Sequence, residues 1–290
     1  HGFSIFDYKT EKFERYMHSA SNKNSLHSNR IVDLHCDKKG VIWIGTMDGL
    51  GKFDTKSGLF SHFNIHDPRE KNGGDDFISS IIEETDGQLL LFVSGKKIAR
   101  FNPKTCTYSF LKSPVLPNPK VRINRGGILY KDHKGYIWIG TEYEGIVKFN
   151  EQTGETIYYN TSNSELKTNV ILHIMQDSKG KMWISTDGGG LLEYDFTTNK
   201  FKIHLYDPNN PSSISTNAVY YVKEDLTGHL WIGTYAAGIN IIKQNKKRFE
   251  LYTNDANSQS SLSYKSVLSF ADDRNGKVWI GTDGGGLNLF

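Results

Sequence analysis

Trp138-Ile139-Gly140-Thr141 recurs almost letter for letter along the chain, as Trp43-Ile44-Gly45-Thr46, Trp231-Ile232-Gly233-Thr234 and Trp279-Ile280-Gly281-Thr282, and with one change as Trp183-Ile184-Ser185-Thr186. A sixth, eroded copy stands at Leu90-Leu91-Phe92-Val93. A glycine lies three residues ahead of each copy, at Gly40, Gly87, Gly135, Gly180, Gly228 and Gly276, and these glycines are 47, 48, 45, 48 and 48 residues apart. A period in that range marks a repeat architecture, in which each unit buries its apolar face by stacking on its neighbours.

Outward from the tryptophan, each unit resolves into four short segments. The first is Ile31 to Cys36, with counterparts at 78–83, 126–131, 171–176, 219–224 and 267–272; its apolar, β-rich composition predicts a strand. An Asp-x-x-Gly stretch follows, at 37–40, 132–135, 177–180, 225–228 and 273–276, with Glu84 in place of Asp in the eroded copy. Asp accepts a local backbone hydrogen bond at the first turn position and Gly tolerates positive φ at the fourth, so the stretch predicts a tight hairpin turn. The second segment is the Trp copy itself, apolar at consecutive positions as in a strand covered on both faces. A third segment (50–53, 98–101, 146–149, 191–194, 239–242, 287–290) and a more polar fourth (59–64, 107–111, 156–159, 201–205, 249–253) complete the unit, the fourth reading as an exposed edge. The longer loops between units hold an apolar residue five places before the first strand (Leu26, Leu166, Ile214, Leu262), which we take as a plug. Asn29, Asn124, Asn169 and Asn217 recur two places before that strand, with Asp76 and Lys265 as substitutes.

Four antiparallel strands per unit, a turn at each hairpin and no helix signal predict an all-β fold, a β-propeller of four-stranded antiparallel blades. A solenoid of β-hairpins fits less well, because neither end resembles a polar capping repeat. The expected propeller spans 1–290: a partial blade at 1–18, blades at 26–66, 73–112, 121–160, 166–206 and 214–253, and a partial blade at 262–290. These are about six repeat units, which either close a six-bladed ring with one duplicate third strand or form part of a seven-bladed or tandem propeller. Trp43, Trp138, Trp183, Trp231 and Trp279 are expected to be structural, wedged between twisted sheets; replacing one by Ala should cost about 3–5 kcal/mol. The Gly two positions later is expected to allow close sheet contact.

Composition narrows the class. The 290 residues are 37% apolar and 12% aromatic, enough for a large core, and 35 basic residues against 32 acidic ones leave a charge of +3 spread through every repeat. That distribution has no polybasic footprint, so no nucleic acid is expected to bind this region. No run of about 18 apolar residues exists, so any membrane helix is expected outside this sequence. His1 to Asp7 already reads as repeat material, and the chain is expected to be cut from a longer precursor. Cys36 and Cys106 form no metal-ligand spacing and are expected to be unpaired, buried structural thiols.

The pattern Asn-x-Val/Ile…Asp-x-x-Gly-x-x-Trp-Ile-Gly-Thr-x-x-Gly-Gly-Leu-x-x-Phe/Tyr-Asp, as in Asn169 to Asp195 and again in Lys265 to Phe290, resembles the two-component regulator propeller repeat. The departures lie in the second copy, where Leu90 replaces Trp, and in the first, where Met47-Asp48-Gly49 is one residue short. The resemblance implies the periplasmic sensing region of a hybrid two-component histidine kinase of an inner-membrane receptor. In such receptors an oligosaccharide is the ligand, a homodimer carries the signal across the membrane, and the output is control of glycan-utilisation genes. It also implies that this region is no enzyme and needs no cofactor. Two further readings are a non-sensing scaffold or dimerisation propeller and a propeller-fold glycoside hydrolase or lyase.

The residues support binding over catalysis. The Asp of Asp-x-x-Gly recurs in nearly every unit, as a structural turn residue would, and the ten histidines share no ligand spacing, so no catalytic residue and no metal is expected. Asp187-Gly188-Gly189-Gly190 joins two strands with no helix to follow, which argues against a phosphate loop. In an up-and-down blade the loops between second and third strands leave on the same face as the connections to the next unit. Candidate ligand-binding residues are those that break the repeat there: Arg30, Arg122, Arg125, Glu142, Tyr143, Glu144, Tyr235, Tyr264 and Lys265. Aromatic rings stack on sugar faces, while Arg, Lys and carboxylates hydrogen-bond hydroxyls.

Overall fold

The computed structural model describes residues 2–7, 10, 12–66, 76–94, 97–112, 127–243, 249–258, 260–273 and 276–290. Strand β1 (Phe3–Asp7) pairs with β2 (Lys12–Tyr16). The first complete blade is β3 (Ile31–Cys36), β4 (Val41–Thr46), β5 (Gly49–Asp54) and β6 (Leu59–Phe63); the second is β7 (Ile78–Glu83), β8 (Leu89–Val93), β9 (Lys97–Asn102) and β10 (Thr107–Phe110). The third is β11 (Ile128–Lys131), β12 (Ile137–Gly140), β13 (Ile146–Phe149) and β14 (Thr156–Tyr159). The fourth holds β15 (Ile171–Gln176), β16 (Met182–Thr186), β17 (Leu191–Asp195) and β18 (Lys200–His204), and the fifth β19 (Val219–Glu224), β20 (Leu230–Thr234), β21 (Ile239–Ile242) and β22 (Phe249–Tyr252). A three-stranded sheet of β23 (Val267–Asp272), β24 (Val278–Thr282) and β25 (Gly286–Leu289) ends the chain. Neighbours follow chain order in each sheet and pair antiparallel, with no helix among the described residues. The fold is an all-β propeller of four-stranded blades, with strand ends within about two residues of those expected from the sequence.

Two compact units divide the chain, His1–Lys131 with Phe149–Glu155 and Asp132–Lys148 with Thr156–Phe290. In the first, Trp43 is fully buried against Phe63 and Phe101, within a core that includes Ile78, Leu89 and Leu91. The plug Leu26 packs with Phe3, Phe53 and Ile44. A Cβ at Gly45 would stand 2.7 Å from the carbonyl oxygen of Ile78 on the next blade, so only glycine allows this approach of the sheets. Asp33 and Ser80 reach across to the next first strand and accept the backbone N–H groups of Ile81 (2.7 Å) and Leu129 (3.1 Å).

The eroded copy rearranges its polar groups. Leu90 has no indole N–H, and the carboxylate of Glu84, 9% exposed, turns to Arg100, the residue opposite Leu90 in the β8–β9 register. Arg100 Nε donates to Glu84 at 2.6 Å and its Nη atoms donate to Glu151 at 2.7 and 2.8 Å; Lys131 completes the cluster on Glu84. The Glu151 and Glu84 carboxylates push the Arg100 pKa further up, against the opposing effect of burial.

In the second unit Trp138, Trp183 and Trp231 are likewise buried, while Trp279 is half-buried. Trp183 packs with Leu191, Ile214 and Val219, and Trp231 with Leu262, Val267 and Phe270. The ammonium of buried Lys148 lies over the rings of Tyr136 (4.5 Å), Tyr194 (5.2 Å) and Trp138 (5.4 Å), so a cation is held here by π faces. Ser185 replaces the repeat glycine, fully buried.

Each first strand with a resolved register carries a bulge. The register shifts between Ile31 and Asp33, Ile78 and Ser80, Ile171 and His173, Val219 and Tyr221, and Val267 and Ser269. The extra residue, Val32, Ser79, Leu172, Tyr220 or Leu268, lies out of the pleat near the loop end of its blade. Cys36 and Cys106 are unpaired as expected but exposed, Cys36 at the end of β3 and Cys106 in a turn at φ 56°. At a strand end and in a tight turn, neither has a neighbouring layer to cover it.

Candidate functional site

Loops between second and third strands and the connections to the next blade share one end of the sheets because backbone hydrogen bonds tie them together. In the second unit, Asp187, Tyr235 and Asp283 donate their N–H groups to the carbonyls of Val170, Ala218 and Ser266 at 3.0–3.1 Å. Gly145, Gly190 and Gly238 donate to Asn169, Asn217 and Lys265 at 2.7–3.1 Å. The first unit repeats the scheme with Met47 on Arg30 and Gly2 on Asn29. At Gly238, φ is +78° and a Cβ would meet the Tyr252 carbonyl oxygen at 2.1 Å, so glycine is obligatory where the third strand begins.

Two side chains close these loops. The Thr of each Trp copy donates its hydroxyl to the glycine carbonyl that ends the loop: Thr46 to Gly49, Thr141 to Gly145, Thr186 to Gly190, Thr234 to Gly238 and Thr282 to Gly286, all at 2.6–3.0 Å. The recurring Asn pins the other loop, with the Oδ1 of Asn29, Asn169 and Asn217 accepting the N–H of His18, Thr161 and Tyr206 at 2.7–2.9 Å. Lys265 cannot accept such a bond, and Asn254 there donates from its own side chain to the Leu262 carbonyl at 2.7 Å. Hydrogen bonds thus pin the loop backbone at this end of the blade, an arrangement that suits a binding surface.

On this frame the structure places the candidate residues. Arg30 is exposed, Tyr143 and Tyr235 are each 51% exposed and Tyr264 43% exposed, while Lys265 is exposed beside the Gly238 N–H that its carbonyl accepts. Glu144 is half-buried and its N–H donates to Thr141 Oγ1. Glu142 is only 8% exposed and its buried Oε2 has no hydrogen-bond partner among the described residues. Arg122 and Arg125, with Asn124 and the expected strand start at Gly126, lie outside the described residues. Tyr143 and Glu144 share one loop; Tyr235, Tyr264 and Lys265 share another neighbourhood, since Ala236 N–H donates to Ser266 Oγ at 3.1 Å.

Tyr220 is a residue that loop reasoning passed over. It is the bulge residue of β19, and its ring stands 5.5 Å from that of Tyr235. The available signal was an aromatic among the Val32, Ser79, Leu172 and Leu268 of the other units, but a bulge is invisible until the register is known.

Two half-buried titratable residues, Asp33 and His173, lie on first strands just below this end. Burial pushes the Asp33 carboxyl up to about 6, against the hydrogen bonds of Ile81 and Leu34. Burial pushes His173 down to about 3, and its ring stacks on Tyr221 at 3.8 Å, so it is neutral at pH 7. At the opposite, turn end of the first unit a cavity of about 360 Å³ is lined by Asp37, Lys38, Glu83, Asp86, Gln88 and Lys104. Among the described residues no three His, Cys, Asp or Glu side chains converge to hold a metal, and no helix is long and apolar enough to cross a membrane.

The frame is that of a repeat propeller with one loop end rich in side chains that break the repeat. Residues 25–48, 165–188 and 261–284 match the model of the family described as Two component regulator propeller. No curated protein matches the sequence. Among solved structures, the extracellular domain of a B. thetaiotaomicron protein named as hybrid two component system BT3049 superposes with a TM-score of 0.79 at 22% identity, over 99% of this chain and 37% of that one. PorZ, a surface component of the type-IX secretion system of Porphyromonas gingivalis, does so with a TM-score of 0.69 at 19% identity, over 90% of this chain and 38% of that one. An inactive variant of Staphylococcus aureus virginiamycin B lyase, solved with quinupristin, gives a TM-score of 0.69 at 14% identity, over 99% of this chain and 86% of that one. At these identities the likeness is one of fold. The chain spans well under half the length of the first two.

Proposed function

We propose that this chain is the ligand-sensing propeller of a hybrid two-component sensor histidine kinase and response regulator. In this reading it lies in the periplasm, takes an oligosaccharide at the loop end of its blades, and signals as a homodimer through a membrane helix outside this sequence to control glycan-utilisation genes. The region itself catalyses nothing. The observation that carries the reading is the concentration of exposed, repeat-breaking Tyr143, Tyr235, Tyr264 and Lys265 on loops whose backbone is otherwise pinned by the repeat. Rigid aromatic side chains with polar tips suit a ligand with alternating apolar faces and hydroxyls. The regulator-propeller repeats support a sensory role, and the neighbour named as an extracellular domain of a hybrid two component system supports an extracytoplasmic one.

Calorimetric titration of the full chain with a panel of neutral and acidic oligosaccharides tests this. Saturable binding of one member without turnover is the expected result. Absence of binding across the panel would point to a scaffold, and release of shorter or unsaturated products to a hydrolase or lyase.

A further inference from the structure

We propose that Tyr220 and Tyr235, flanked by Tyr264, form an aromatic platform on which one uncharged sugar ring of the ligand stacks by its apolar face. This rests on the sensing reading above and names the part of the ligand that the fifth blade reads.

Three independent features of the second unit converge on the platform. The first is the bulge in β19, which lifts Tyr220 out of the pleat and brings its ring to 5.5 Å from Tyr235 with a 40° tilt between planes. Bulges re-aim a side chain at the cost of a ladder bond, and the corresponding residues Leu172 and Leu268 offer only aliphatic surface. The second is the backbone of the loop after β20. Ala236 has φ +58° where the parallel loops place Gly188 and Gly284 at +82° and +109°. A non-glycine residue held in the left-handed region is a local strain that the surroundings must over-determine, here through the bond of Ala236 N–H to Ser266 Oγ. The third is continuity. The same loop ends on Gly238, whose N–H bonds the carbonyl of Lys265, and the adjacent Tyr264 lies across the next loop, where a Cβ on Gly284 would be 3.7–3.9 Å from its ring.

Tyr264 also departs from its counterparts. Ser28, Thr168 and Thr216 hold this position elsewhere and cap the chain, each hydroxyl accepting the N–H two residues on. A tyrosine gives up that short cap and puts a large ring, 43% exposed, at the surface instead. Lys265 follows Tyr264 and Asp283 precedes Gly284, one charge of each sign, so the sequence around the rings supplies contact area and hydroxyl tips with no excess of either charge. Such a surface favours a flat apolar face edged by hydroxyls over a carboxylated or sulfated ring.

Titration calorimetry with maltohexaose, cellohexaose, xylohexaose and arabinohexaose, beside oligogalacturonate and chondroitin hexasaccharide, tests the platform in the wild type and in Tyr220→Leu, Tyr235→Ala and Tyr235→Trp. Leu is the residue that two of the other bulges hold, at Leu172 and Leu268, and Tyr235 is an exposed loop residue, so the variants should fold; equal melting temperatures check this. The expected result is binding of a neutral member with little dependence on salt, weakened about tenfold by Tyr220→Leu and by Tyr235→Ala and kept by Tyr235→Trp. A neutral member bound equally well by all variants overturns the platform while leaving the sensing reading intact. Binding of an acidic member alone, lost at high salt, overturns the uncharged-ring assignment. No binding of any member by the wild type overturns the sensing reading on which the platform rests.

Discussion

Asp132 Oδ2 accepts the indole N–H of Trp138 at 2.8 Å while Oδ1 accepts the backbone N–H groups of Lys134 and Tyr136 at 2.9 Å each. One carboxylate closes the hairpin turn and fixes the orientation of the ring that wedges the blades. The pair repeats as Asp37 with Trp43 (3.0 Å), Asp177 with Trp183 (2.9 Å) and Asp225 with Trp231 (2.7 Å). Asp132→Ala should therefore destabilise the fold by roughly 2–4 kcal/mol, by freeing three donors. Trp138→Phe keeps most of the ring but leaves a buried carboxylate oxygen without a donor, and should cost roughly 1–3 kcal/mol. Urea unfolding of both single variants and the double variant checks the coupling, expected to be non-additive by about 1 kcal/mol or more.

The same carboxylates set an acid limit. Burial alone would raise Asp37 and Asp225, but the indole N–H groups of Trp43 and Trp231 and the turn N–H groups hold both below the usual carboxylate range. A carboxylate lowered on folding contributes stability above its unfolded value, near 3.9, and loses it as pH falls through the folded one. The melting temperature should drop below about pH 4. An Asp37→Asn, Asp225→Asn variant, less stable at pH 7, should show a shallower drop in a pH series of thermal melts.

Asp33 acts with the opposite sign. Its carboxyl, at about 6 in the fold, binds a proton before the unfolded chain does, so its contribution grows as pH falls from 7 to 4. The magnitude is on the order of 2 kcal/mol. His173, held neutral by burial, works against it, since a depressed histidine contributes above its unfolded value and loses that contribution as pH falls. The comparison with Asp33→Asn isolates the carboxyl: the stability of wild type relative to the variant should be greater at pH 5 than at pH 7.5 in urea unfolding.

Arg100 does for the second blade what the Asp–Trp pair does elsewhere. Arg100→Met removes the shared partner of Glu84 and Glu151 and should cost about 2–3 kcal/mol, below the full cost of an uncompensated buried charge because Lys131 stays on Glu84. Combining it with Glu84→Leu should recover part of that loss, which chemical denaturation of the two variants would reveal.

The fold was legible because one physical demand recurs: Trp138 and its copies need a glycine turn before them and an open neighbour after them, and both leave letters at a fixed period. The role of Asp132 as the partner of Trp138 was not legible, since six residues along a hairpin say nothing about which oxygen meets which nitrogen. Exchange was harder still. Glu84 with Leu90 read as erosion, whereas Arg100 and Lys131 had replaced one donor set with another. At the loop end, Tyr143 and Tyr235 stood out by breaking the repeat, but Glu142 in the same stretch is buried, and Tyr220 depends on a bulge that only the strand register defines.

Hydrogen exchange of the full chain, measured with and without the tightest-binding oligosaccharide of the panel, tests most directly the claim that the loop end is the sensing surface. Slowed exchange at the backbone amides of 142–145 and 235–238, with the turn amides at 37–40 and 84–88 unchanged, is the result expected. Protection confined to those turn amides, around the cavity at the other end of the blades, would contradict it.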